Sequence, residues 1–131
     1  MPHPYALLRT GGNEGALLTL YPNLMDLELT VSQAKALLAT DHPPLLLDVR
    51  EPWEYATAHI EGSTLIPMNE IPGRAHQELD EESPILVLCH HGARSLSVAN
   101  WLRQQGFDKA QSISGGIDAW TRQIDPTIPL Y

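Results

Sequence analysis

The sequence predicts an α/β domain built around a mostly parallel sheet. Two observations carry that reading. Short apolar runs without charge, such as Leu45-Leu46-Leu47 and Ile85-Leu86-Val87-Leu88, look like strands buried on both faces. They alternate with stretches of helical periodicity, which is the pattern of strand–helix–strand units. At 131 residues the chain has the size of one domain, long enough to bury a core without disulfide or metal staples.

The elements follow in order from Asp26. Leu27 and Leu29 mark a short strand. Thr30 or Ser32 is placed to cap a helix that carries Val31, Ala34, Leu37 and Leu38 on one face, and His42-Pro43-Pro44 stops it. The second strand, Leu45-Leu46-Leu47, ends in Asp48-Val49-Arg50. Pro52 suits a first helical turn and opens a short helix through Ala58. Residues 63–66 form a third strand, and residues 70–79 a weaker helix with Pro72 and Gly73 near its start. Asp80-Glu81-Glu82-Ser83-Pro84 is a solvated loop. The fourth strand, ending at Leu88, leads to a helix that runs to about Gln105, with Leu96, Ala99 and Leu102 at helical spacing and Val98 and Trp101 widening the face. Gly106 fits its C-terminal cap. Residues 110–113 are the last strand, Gly115-Gly116 a turn and residues 117–122 the last helix, followed by an extended tail with Pro126 and Pro129.

Residues 1–24 stand apart as an N-terminal extension. Tyr5-Ala6-Leu7-Leu8 and Ala16-Leu17-Leu18-Thr19-Leu20 flank Gly11-Gly12-Asn13-Glu14-Gly15, a pattern of a loose hairpin or two short extended pieces.

Composition narrows the function. Sixteen acidic residues against eight basic give a net charge of −8, which argues against nucleic-acid or anionic-membrane partners. No basic segment followed by a long apolar stretch opens the chain, so no signal peptide is expected, and no run approaches the ~20 apolar residues of a membrane span. One cysteine allows neither an internal disulfide nor a cysteine-rich zinc site. A soluble cytoplasmic protein is the expectation.

That single cysteine, Cys89, is the most informative residue. It follows the fourth strand directly and opens the loop Cys89-His90-His91-Gly92-Ala93-Arg94-Ser95, which leads into a helix. A strand–tight loop–helix unit sets its loop at the carboxyl edge of the sheet, where open α/β folds bind ligands. The unpaired N–H groups and positive end of the helix favour thiolate over thiol and attract an anion. Gly92 lets the backbone take positive φ, so that N–H groups can curl toward the sulfur. Arg94 offers a forked cation suited to an oxyanion, and with the helix N-terminus it must supply the local positive site that the acidic chain otherwise lacks. Ser95 either donates to the thiolate or caps the helix, with the cap slightly favoured. His90 and His91 add donors; adjacent histidines on a tight loop are expected to point apart, so no metal pair is expected. Asp48 and Arg50, at the end of the neighbouring strand, are read as an internal pair bracing the loop in preference to a substrate site. His59 is read as a structural hydrogen-bonder, and Trp53, Trp101 and Trp120 as packing or partly exposed residues.

Three stretches together carry a resemblance. Asp48-Val49-Arg50-Glu51 with Glu54-Tyr55 and His59-Ile60-Glu61-Gly62, then the Cys89 to Ser95 loop, then Gly115-Gly116-Ile117-Asp118-Ala119-Trp120 resemble the signatures of the rhodanese (sulfurtransferase) domain family, in order and at fitting separations. The resemblance covers about residues 25–131 and holds one such unit. It implies a single domain with a five-stranded parallel sheet and helices on both faces, needing no cofactor. It implies a Cys89 persulfide, loaded from thiosulfate or a persulfide donor and discharged to a thiol or cyanide, with His90, His91, Gly92, Ala93, Arg94 and Ser95 around the substrate. The implied partners are a small anionic sulfur donor and a thiol acceptor, with a sulfur-relay protein as a further possibility. Three alternatives stay beside it. A phosphatase or arsenate reductase of this fold would carry a loop one residue longer. An interaction module of the family often lacks the cysteine. A persulfide carrier would use the same intermediate with a protein donor.

Overall fold

The computed structural model describes residues 24–131. The expected N-terminal hairpin falls on residues 1–23, outside that range. Leu24, at the start, is buried, and its carbonyl accepts from Arg103 Nη2 at 3.4 Å.

Five strands, β1 (Glu28–Leu29), β2 (Leu45–Asp48), β3 (Thr64–Leu65), β4 (Ile85–Leu88) and β5 (Ala110–Ile113), form one sheet in the order β1-β5-β4-β2-β3. All neighbours run parallel, with Asp48 beside Leu88 and Leu65 at the carboxyl edge. The helices are α1 (Val31–Leu38), α2 (Pro52–Thr57), α3 (Ile71–Glu78), α4 (Ala93–Gln104) and α5 (Gly116–Gln123), and a 3₁₀ turn, Met68–Glu70, leads into α3.

The apolar runs become central strands because both sides of the sheet are covered. Side chains alternate across a strand, so Leu47, Ile85 and Val87 pack with Ile71 and Ala75 of α3 and Val98, Ala99 and Leu102 of α4. Leu46, Leu86 and Leu88 pack on the opposite side with Val31 and Ala34 of α1 and Ile117 and Trp120 of α5. Thr30 caps α1 in a reciprocal box: its Oγ1 accepts from the Gln33 N–H at 3.1 Å, while Gln33 Oε1 accepts from the Thr30 N–H at 2.8 Å. Trp120 is buried, Trp101 partly buried, and Trp53 63% exposed.

The Gly115-Gly116 turn sets α5 against the loop after β4. The first N–H groups of α5, on Ile117 and Asp118, donate to the carbonyls of Cys89 (2.9 Å) and His90 (3.1 Å). Gly116 has φ +62°, and a β-carbon there would meet His90 O at 2.4 Å and Cys89 O at 2.5 Å. Backbone cannot retreat as a side chain can. Gly116→Ala is therefore expected to destabilise the domain by roughly 2 kcal/mol or more, from left-handed strain plus the clash. Urea unfolding beside Gly73→Ala, where a β-carbon meets nothing within 4 Å, checks it; equal stabilities would contradict this account of the turn.

Candidate active site

Cys89 lies at the carboxyl end of β4 and is 1% exposed. Gly92, at φ +112° and ψ −16°, is the residue before the first turn of α4, and its N–H donates to Cys89 Sγ at 3.0 Å. A β-carbon on Gly92 would press to 3.2 Å from the Gly115 nitrogen. Positive φ and close approach both demand glycine here. The loop thus turns carbonyls outward onto α5 and an N–H inward onto sulfur.

Ser95 does not cap α4, against the slightly favoured expectation; the capping position belongs to Gly92, which has no side chain. Ser95 lies in the first turn, wholly buried beneath the sulfur. The Cys89 thiol donates to Ser95 Oγ at 3.3 Å, Ser95 Oγ donates to the Gly92 carbonyl at 3.1 Å, and Ser112 Oγ on β5 lies 2.8 Å away. The serine pair is a polar floor under the thiol.

Arg94 is the largest departure from expectation. Its guanidinium does not stand free in the loop but is held by a carboxylate of another helix. Nη1 and Nη2 form a two-pronged pair with Glu54 Oε1 (2.7 Å) and Oε2 (3.0 Å) on α2, and the Arg94 side chain keeps 35% exposure. Arg94 beside it holds the Glu54 carboxyl down to about 2, with Tyr131 and the Glu51 N–H adding hydrogen bonds.

Arg50 is fully buried, with its guanidinium engaged inside the protein. It pairs with Asp48 (Nη2 to Oδ2 2.7 Å, Nε to Oδ1 2.9 Å) and donates to the carbonyls of Ala58 (2.7 Å) and Glu54 (3.3 Å). The Tyr131 hydroxyl joins the two ion pairs: it accepts from Arg50 Nη1 at 2.8 Å and donates to Glu54 Oε2 at 2.7 Å. Burial, with the Glu54 carboxylate beside it, pushes the phenol up to about 12 against the lowering pull of Arg50. His59 is structural, stacked on Tyr55 at 4.3 Å with Nδ1 3.1 Å from the Tyr55 carbonyl.

The divergence expected of adjacent histidines does not occur. The His90 and His91 rings lie 3.8 Å apart, because Tyr131 stacks on the other side of His90 at 3.9 Å and 7° and leaves one direction open. Burial, then the neighbouring His91, push the His90 imidazole down toward its neutral form. His91 Nε2 stands 4.0 Å from Asp118 Oδ1 on α5. Sequence reasoning missed the roles of Glu54, Ser112, Asp118 and Tyr131. Glu54 and Asp118 had a visible signal, each a carboxylate within a stretch that resembles a family signature; Ser112 and Tyr131 had none.

A parallel α/β sheet with a cysteine at the floor of a tight strand–helix loop, braced by two arginine–carboxylate pairs, defines a class of thiol-bearing α/β domain. The family model described as the rhodanese-like domain matches residues 30–123. The chain is 42% identical over 89 residues to the chloroplastic rhodanese-like/PpiC domain-containing protein 12 of Arabidopsis thaliana, covering 66% of this chain and 30% of that protein. It is 36% identical over 98 residues to the thiosulfate sulfurtransferase GlpE of Tolumonas auensis, covering 75% of this chain and 90% of that one. The crystal structure of a rhodanese-like domain protein from Staphylococcus aureus superposes with a TM-score of 0.69 at 28% identity, over 79% of this chain and 97% of that one. The chain belongs to the rhodanese-like domain family.

Two outcomes follow from the Glu54–Arg94 pair. Glu54 titrates lower folded than unfolded, so its stabilisation is complete above about pH 4.5 and is lost as the pH falls toward 2. The depression corresponds to something on the order of 3 kcal/mol. Glu54→Gln should flatten the acid limb of a stability–pH curve over that window; an unchanged slope would contradict the pairing. Arg94→Ala should cost about 2 kcal/mol or more in urea unfolding, because it strands a buried carboxylate; a loss under ~0.5 kcal/mol would return Arg94 to the status of a surface residue.

Proposed function

We propose that this chain is a sulfurtransferase that carries a sulfane sulfur as a Cys89 persulfide. The observation that carries the reading is the position of Sγ, 3.0 Å from the Gly92 N–H at the start of α4 and above the Ser95–Ser112 pair. The family and the relatives named thiosulfate sulfurtransferase support it.

The thiolate attacks the outer sulfur of thiosulfate. The new Cys89 S–S bond forms as the donor's S–S bond breaks, and sulfite leaves with the electron pair. An acceptor thiolate or cyanide then attacks the outer sulfur of the persulfide and restores the Cys89 thiolate. No general base is required when the attacking group is already a thiolate. Negative charge moves along sulfur through both steps, and fixed N–H dipoles at the helix start stabilise it without reorganising. When Cys89 is a thiolate, the Ser95 hydroxyl is free to turn and donate to it.

Arg94 acts in this scheme first as a brace. The nearby cations Arg50, Arg94 and Arg122 are matched by Asp48, Glu54 and Asp118. Attraction for an anionic donor therefore falls mainly on loop N–H groups, with the solvent-facing part of Arg94 in support. With no second thiol in the chain, discharge is to an external acceptor. Among the described residues no helix is long and apolar enough to cross a membrane, and a lone free cysteine suits a reducing compartment such as the cytoplasm.

Formation of thiocyanate from thiosulfate and cyanide tests the proposal. Wild type should turn over, and Cys89→Ser should fall to background with its unfolding midpoint retained. Near-normal turnover in Cys89→Ser would sink the mechanism. Hydrolysis of an aryl phosphate in place of sulfur transfer would move the chain to the phosphatase class.

A further inference from the structure

Buried polar side-chain atoms almost always find partners, and an exception calls for an explanation, a bound water or ion among them. Among the described residues two such atoms have none, His90 Nε2 and Thr121 Oγ1. Both residues line one small recess, which Asp118 and Tyr131 also line. The orphaned pair is therefore one local feature, at the junction of the Cys89 loop with α5.

The same junction holds a ligand set. Among the described residues, His90, His91 and Asp118 are the group of histidine and carboxylate side chains whose donor atoms lie within 4.8 Å of one another. From this convergence, with the unpartnered His90 nitrogen, we infer a binding site for a divalent transition cation of the zinc type. Two imidazoles and one carboxylate match the preferences of such ions, and three protein ligands leave further positions for water.

The surroundings suit that role. Tyr131 stacked on one side of His90 fixes the ring plane. Arg122 Nε donates to Asp118 Oδ2 at 3.0 Å and leaves Oδ1 toward His91. Outer partners of this kind hold ligands in place around bound metals. The backbone already joins the parts, since the Asp118 N–H donates to the His90 carbonyl at 3.1 Å. Zinc bonds of ~2.0–2.1 Å require the donors to close by about an ångström. His91, with its side chain 66% exposed, is free to make most of that movement. The occupied site would tie the Cys89 loop to α5.

Zinc titration of the tag-free full-length Cys89→Ser protein, followed by calorimetry and thermal unfolding, tests the inference; the substitution removes a thiolate that would bind zinc by itself. One equivalent of Zn²⁺ is expected to bind and raise the melting temperature. His91→Ala and Asp118→Asn, each in that background, should weaken binding at least tenfold and abolish the rise. His59→Ala should change neither, although His59 lies 4.0 Å from Glu61 in a second histidine–carboxylate approach. Absence of binding at millimolar zinc, or binding that His91→Ala and Asp118→Asn leave unmoved, would overturn the site.

Discussion

The carbonyls of Cys89 and His90 point outward because α5 offers them its first N–H groups, at 2.9 and 3.1 Å. A helix start has donors that its own turns cannot satisfy, and a loop that must aim N–H groups at a sulfur has carbonyls to place elsewhere. Each segment completes the other. The pairing explains why the closing Gly115-Gly116 turn lies against the cysteine loop although it is far along the chain. It also explains why Gly116 has no room for a side chain. The orientation of the Gly92 N–H toward Sγ depends on this arrangement, and with it the proposed chemistry.

A second constraint is charge. The Asp48–Arg50 and Glu54–Arg94 pairs, joined by the Tyr131 hydroxyl, form a continuous line from the end of β2 to the first turn of α4. Buried pairs of this kind gain little net stability over apolar packing, but removal of one partner is costly. Their effect is to fix α2, the tail and the cysteine loop in one arrangement. The charge they neutralise leaves backbone dipoles to attract the anionic donor of the proposed reaction, and these do not depend on the acidic total of the chain.

The fold was legible where local pattern and burial agree. Strands β2 and β4 are covered on both faces, so their sequences are unbroken apolar runs; Thr30 and Gln33 form a capping box within four residues. The turn of the Cys89 loop was legible at Gly92, whose positive φ has a local chemical reason, whereas the engagement of Arg94 was not. Partners distant in sequence were not. Glu54 meets Arg94 across 40 positions and Tyr131 across 77, and no local preference encodes either meeting. For Ser95 a cap was slightly favoured over a bond to sulfur because serine is a strong capping residue, whereas here Gly92 precedes the helix and Ser112 arrives from another strand. The stacked histidines depend likewise on Tyr131, which tertiary packing alone brings to the loop.

Intact mass of the purified wild-type protein before and after thiosulfate, beside Cys89→Ser, tests the central claim most directly. The account predicts a gain of one sulfur atom in wild type alone, reversed by cyanide or a thiol. No gain on a reduced, reactive Cys89, or an equal gain in Cys89→Ser, would contradict a persulfide at the floor of this loop.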